Sequence, residues 1–142
     1  MAGRSFFHQL DAKNRMRIPA KLREEIGENY SITIGSGGCL YVYTKVQMDK
    51  IKKAFENINP FREDQLASAR YFIANTLDVE EDKQGRFILT EELRKYAKIE
   101  KNVVVFKGPS CIEIWSEESW NEYFNKMDFS SLASVFENVK ND

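Results

Sequence analysis

The chain twice places a carboxylate four residues ahead of a guanidinium, at Asp11 and Arg15 and again at Asp82 and Arg86. Each pair encloses a short polar string, Ala12-Lys13-Asn14 in the first case and Lys83-Gln84-Gly85 in the second. Two kinds of chemistry suit these residue types. Arginine presents a planar fork of N–H donors that matches a guanine edge or a phosphate bidentately, and lysine supplies a point charge for phosphate. Alternatively, each arginine pairs with the aspartate of its own string and only holds a turn together. Asn14 and Gly85 stand one residue before the arginines, and both types tolerate the left-handed backbone of a tight turn. With the carboxylates accepting backbone N–H groups, Asp11, Asn14, Asp82 and Gly85 read as turn formers.

Other chemistry has little to work with. His8, the single histidine, sits in an alternating segment and reads as a packed, hydrogen-bonded side chain. Cys39 and Cys111 each open an apolar strand, and no CxxC occurs, so two small buried residues are expected before a disulfide or a zinc site. Glu80, Glu81 and Asp82 cluster at a strand end, where solvated charge is the simpler account. No nucleophile elbow or phosphate loop is present. The expectation is a protein that is not an enzyme, with no catalytic residues, metal, cofactor or small-molecule substrate.

The 142 residues are 42% hydrophobic and 30% charged, enough for one compact domain with its own core. No apolar run approaches the roughly 20 residues needed to cross a bilayer, and no hydrophobic signal core opens the chain. A cytoplasmic protein is expected. The net charge of −1 conceals an uneven distribution: the first 23 residues hold Arg4, Lys13, Arg15, Arg17, Lys21 and Arg23 against Asp11 alone, a local balance of +5. Such a patch suits a phosphate backbone, although a solvated charged face would look the same.

The elements that must position these residues are themselves duplicated. Asp11, Arg15, Leu22 and Arg23 recur as Asp82, Arg86, Leu93 and Arg94 at an offset of 71, and Cys39-Leu40-Tyr41-Val42-Tyr43 recurs as Cys111-Ile112-Glu113-Ile114-Trp115 at 72. Alternation predicts a strand over residues 5–10, with Phe6 and His8 inward, and its counterpart over 76–81. Beyond the first turn Met16 and Ile18 alternate with Arg15 and Arg17, giving one apolar and one cationic face. Phe87, Ile88 and Leu89 are apolar on both faces, so the second copy's strand is expected to be covered. Pro19 opens a helix over residues 20–26 that Gly27 ends, and Thr90 takes the corresponding N-cap. Strands over 31–34 and 103–106 lead through short loops into hairpins. Helices follow from the Thr44/Gln47 capping pattern, from Pro60 as a first helical residue, from Ser116, and in the tail after Asp128.

A four-stranded unit cannot bury its own apolar face, so the two copies are expected to interleave. The fold class is α+β: two ββαββ repeats forming a pseudo-twofold β-barrel with peripheral helices. All of residues 1–142 form one domain, with repeats at 5–60 and 76–127, a connecting helix at 61–75 and a tail helix at 128–142.

The strings Leu10-Asp11-Ala12-Lys13-Asn14-Arg15, Ile18-Pro19-Ala20-Lys21-Leu22-Arg23, Asp82-Lys83-Gln84-Gly85-Arg86 and Ile112-Glu113-Ile114-Trp115-Ser116 resemble the bacterial MraZ family over about residues 5–124. Each copy is also similar to the swapped-hairpin unit of AbrB-type regulators. The resemblance implies a DNA-binding transcriptional regulator of the division and cell-wall gene cluster. It would bind short direct repeats in double-stranded DNA as a ring-shaped homo-oligomer and associate with the nucleoid. It places the DNA-facing elements at the two turns, and so on Arg15 and Arg86 with Lys13 beside them. Side-chain chemistry adds Arg17 and Lys83 to the candidate set and has Arg15 reading base edges while Lys13 and Arg17 contact phosphate. Asn14 departs from the family's usual glycine, and Thr90 from its common proline. Copy two, with a balance of only +1 around its turn, is the weaker electrostatic partner and is expected to complete the barrel and join subunits. The competing reading is an AbrB-like barrel acting as an antitoxin-like protein-binding module.

Overall fold

A computed structural model of the chain describes residues 4–140. In chain order the elements are β1 (Ser5–Gln9), β2 (Arg15–Met16), α1 (Ala20–Ile26), β3 (Tyr30–Ile34), β4 (Leu40–Thr44), α2 (Lys45–Glu56) and α3 (Glu63–Ala74). The second copy supplies β5 (Leu77–Asp78), β6 (Phe87–Ile88), α4 (Glu91–Ala97), β7 (Asn102–Lys107), β8 (Ile112–Ser116) and α5 (Glu117–Asn125). A 3-10 turn at Phe129–Leu132 and α6 (Ala133–Lys140) end the described chain. Residues 141–142 of the expected tail helix lie outside the described residues.

Local chemistry sets several boundaries. The Thr44 hydroxyl accepts the Gln47 N–H at 3.2 Å while Gln47 Oε1 accepts the Thr44 N–H at 3.0 Å, a reciprocal cap that starts α2. Ser116 Oγ accepts the Ser119 N–H at 2.9 Å and starts α5. Gly27, at φ 72°, ends α1 in a conformation that glycine adopts without strain. Thr90 occupies the N-cap of α4 as expected, though without a side-chain cap bond, and Glu91 and Glu92 favour the N-terminal dipole. One expectation needs correction. Pro60 lies in the turn before α3, which begins at Glu63 behind Arg62, because the Asn59 side chain and carbonyl first close a turn onto Phe61 and Arg62.

Six strands form an antiparallel sheet in the order β1-β7-β8-β4-β3-β5, and β2 and β6 pair as a separate two-stranded ribbon. Exchanging the copies reverses this order onto itself. The first strand of each copy therefore pairs with the hairpin of the other, and the ribbon takes one strand from each. Among the described residues the sheet is not closed into the expected barrel: β1 and β5 are its two edges. Beyond these edges, single bonds from the Asp11 N–H to the Arg15 carbonyl and from the Asp82 N–H to the Arg86 carbonyl tie the incoming chain to the ribbon.

The ribbon covers one face of the sheet. Met16, Ile18, Phe87 and Leu89 beneath it join Ile32, Val42, Val105 and Ile114 of the sheet and Leu22, Ile26, Leu93 and Ala97 of α1 and α4 in one core. On the opposite face Cys39, Val104, Trp115 and Trp120 pack under α5. Cys39 and Cys111 are both buried, and burial pushes each thiol up to about 12, so neither ionises near neutral pH. His8, expected inside, is exposed, since β1 is an edge strand and His8 lies near its end. Ile88, expected to be covered, is 59% exposed while its neighbour Leu89 is fully buried. Alternation explains this: Met16 and Phe87 sit opposite one another facing the core, so the Arg15 and Ile88 rung faces away.

A further bond joins the copies. Arg23 in α1 grips Glu81 bidentately at 2.6 and 2.7 Å, and the Tyr30 hydroxyl donates to the same carboxylate. Arg23 holds the Glu81 carboxyl below the usual carboxylate range, and burial raises the Tyr30 phenol. The duplicated position differs: Leu10 stands in place of Glu81, and Arg94 turns to the Leu89 carbonyl at 2.9 Å.

Two outcomes are expected in urea unfolding. Leu89→Ala should lose about 2–5 kcal/mol, whereas Ile88→Ala, one residue away, should lose less than about 1 kcal/mol. Because the folded Glu81 carboxyl titrates below its ordinary value of 4.5, its contribution is present above that pH and is lost as pH falls through the lower folded value. The stability gap between the parent and Glu81→Gln should accordingly be widest near pH 7 and shrink below pH 4.5.

Candidate nucleic-acid interface

The two turns have nearly the same geometry. Asp11 Oδ1 accepts the backbone N–H groups of Lys13 and Arg15, both at 2.9 Å, and Asp82 Oδ1 accepts those of Gln84 and Arg86 at 2.8 and 2.9 Å. The Asp11 carbonyl accepts the Asn14 N–H, and the Asp82 carbonyl accepts the Gly85 N–H. Asn14 at φ 59° and Gly85 at φ 76° take the left-handed conformation that reverses the chain. These backbone bonds, from Arg15 and Arg86 first, hold both aspartates below their ordinary value and so ionised at neutral pH.

The second carboxylate oxygen of each aspartate engages the arginine. Asp11 Oδ2 accepts Arg15 Nε–H at 2.7 Å and Asp82 Oδ2 accepts Arg86 Nε–H at 2.9 Å. The aspartate therefore both holds the turn and grips the arginine of its own string. The grip uses Nε alone. Among the described residues the Nη groups of Arg15 and Arg86 have no hydrogen-bond partner, which leaves the end of each fork available to an acceptor outside the chain.

The ribbon brings these forks together. Arg15 pairs with Ile88 and Met16 with Phe87. Continuing that register by one step sets Arg17 opposite Arg86, so Arg15, Arg17 and Arg86 share the outer face with Ile88. Arg17 is exposed, and Arg15 and Arg86 are half-buried. Like charges on facing rungs disfavour an isolated ribbon, and an anionic partner relieves that cost. Lys13 and Lys83 are exposed at the tips of the two turns and, among the described residues, form no ion pair. The surroundings differ between the copies. Exposed Asp78 and Glu80 lead into the second turn and line a groove of about 550 Å³ beside Arg86 and Ile88, whereas Phe7 and Gln9 precede the first. No three His, Cys, Asp or Glu side chains among the described residues converge as a metal site.

Sequence reading placed the turns but missed the rung that joins them. The signal was present: the offset of 71 maps Arg17 onto Ile88, which puts an isoleucine on the face that carries the guanidinium groups in copy one.

The comparisons with known proteins agree with the repeat. The family described as "MraZ protein, putative antitoxin-like" matches residues 1–70 and again 72–141. A transcriptional regulator MraZ of Thermoanaerobacter sp. (strain X514) is 42% identical over 123 residues, covering 87% of this chain and 86% of the relative. That of Caldanaerobacter subterraneus subsp. tengcongensis is 38% identical over 133 residues, covering 92% and 93%. That of Clostridium botulinum (strain Alaska E43 / Type E3) is 41% identical over 127 residues, covering 89% of each. With a doubled family match over nearly its whole length and relatives of this similarity, the chain belongs to the MraZ family.

Proposed function

We propose that this chain is a transcriptional regulator that reads double-stranded DNA with the β2–β6 ribbon. The carrying observation is the ribbon's outer face, where two arginines are fixed through Nε by ionised aspartates while their Nη ends have no partner among the described residues. A two-stranded ribbon fits the DNA major groove, and an arginine fork pairs with guanine O6 and N7. Fixing the fork beforehand lowers the ordering cost of that contact. Arg15 reads base edges in this account, with Arg86 beside it. Lys13, Arg17 and Lys83 contact phosphate at the edges of the groove. The relatives' printed name, transcriptional regulator, supports this direction.

The family resemblance extends the proposal to short direct repeats in the promoter of the division and cell-wall gene cluster, and hence to a nucleoid-associated, cytoplasmic protein. One chain offers one ribbon, so direct repeats need several chains facing the same way, which head-to-tail contacts in a ring-shaped homo-oligomer would supply. The exposed apolar side chains Phe124, Phe129, Leu132, Val135 and Phe136 support self-association through the C-terminal segment. The exchange of first strands between the copies supports reading the core as an opened form of the swapped-hairpin barrel. The acidic approach of Asp78 and Glu80 to the second turn favours one rival, an antitoxin-like module that binds a partner protein.

Electrophoretic shift on repeat DNA separates the two. Arg15→Ala should lose about 10-fold or more in affinity while eluting at the parent's oligomer size. Undiminished binding at the same size would sink the base-reading role. Lys13→Ala should weaken specific and random duplexes alike and reduce the salt slope by about one unit, with an unchanged slope contradicting phosphate contact. A parent protein that shifts no DNA at about 150 mM salt would favour the protein-binding module.

A further inference from the structure

The ribbon's outer face carries one apolar side chain among its guanidinium groups. Ile88 is 59% exposed, stands directly across from Arg15 and lies two residues beyond Arg86 on the same strand face. Met16, Ile18, Phe87 and Leu89 of the same two segments all lie in the core on the ribbon's other face, and Leu77 and Val79 line the groove beside Ile88 yet leave it exposed. Copy one places Arg17 at the duplicated position, so the two halves of the reading face differ in chemistry where the fold makes them equivalent.

We propose that Ile88 packs against the 5-methyl group of a thymine in the DNA major groove, next to the base read by Arg15; this rests on the ribbon being the DNA-reading element. The thymine methyl is the alkyl group that base pairs display in that groove, and apolar side chains are its natural contacts. Directly opposed ribbon residues have Cβ atoms about 5 Å apart, and successive bases along a strand rise by about 3.4 Å. Ile88 and the Arg15 fork therefore reach the same or neighbouring base pairs. Arg15 selects guanine, and Ile88 selects a thymine beside it. The isoleucine stem suits such a contact, since a β-branched side chain on a strand is stiff at χ1 and the adjoining Phe87 is anchored in the core. Arg17 at the equivalent place contacts phosphate, so the asymmetry gives the face a direction along the DNA.

The test uses the full-length protein and the DNA segment that it protects upstream of its own gene, as three duplexes measured by fluorescence anisotropy. One carries the natural sequence, one has deoxyuridine in place of every thymine in the protected repeats, and one is random. The parent should bind the deoxyuridine duplex about 3- to 10-fold more weakly than the natural one. Ile88→Ala should lose a similar factor on the natural duplex and be indifferent to deoxyuridine, with the parent's salt slope and elution volume. Ile88→Thr, which keeps the branched shape, should fall between. A parent indifferent to deoxyuridine, an Ile88→Ala variant as sensitive as the parent, a protected repeat with no A·T pair, or a variant that fails only by dissociating into smaller species would each overturn the assignment and leave the DNA reading standing. A parent with no preference for the natural over the random duplex would sink both.

Discussion

The aspartate of each turn is shared between backbone and side chain, and the proposed site depends on that sharing. One carboxylate oxygen closes the turn by taking two backbone N–H groups, and the other takes the arginine Nε–H. Had the arginine used its Nη groups for the pair, its fork would be consumed within the chain. Exposed ion pairs contribute little to stability, so the pair is better understood as fixing a direction than as holding the fold. The same arrangement appears at Asp82 and Arg86, which makes it a property of the repeat rather than of one loop.

The turns acquire meaning from the exchange of strands. Each ribbon strand is two residues long and could not persist alone, yet Met16 and Phe87 drive it into a core built from both copies. The forks are thus held by the whole molecule: first strands crossed between hairpins, Arg23 clamped to Glu81, and α1 and α4 packed on either side. Within this frame the copies have diverged. Copy one keeps a neutral approach and a second outward arginine, while copy two has acidic residues before its turn and an isoleucine after it. The twofold frame supplies two equivalent places, and different residues occupy them.

Much of this was legible because the repeat fixed which residues correspond. The turn formers, the proline-opened helix α1, the capping box of α2 and the buried cysteines follow from local rules that operate within a few residues. Closure of the barrel did not follow, because it depends on where hydrogen bonding stops along β1 and β5, and that is decided by turns that redirect the chain. The burial of Ile88 was misread for a related reason. A run of three apolar residues is consistent with a strand covered on both sides, but this strand pairs in a ribbon with only one covered face. His8 failed likewise: alternation gives its face, and only the edge position of β1 gives its exposure. The clamp between Arg23 and Glu81 joins residues far apart in sequence and has no counterpart in the other copy, so no local pattern announces it.

The central claim is that the ribbon reads DNA from the major groove. Dimethyl sulfate interference on the protected repeats tests it directly, since the reagent methylates guanine N7 in the major groove and adenine N3 in the minor groove. The account predicts that methylation of guanine N7 within each repeat abolishes binding while methylation of adenine N3 there is tolerated. Interference confined to adenine N3, or none at the guanines, would contradict it.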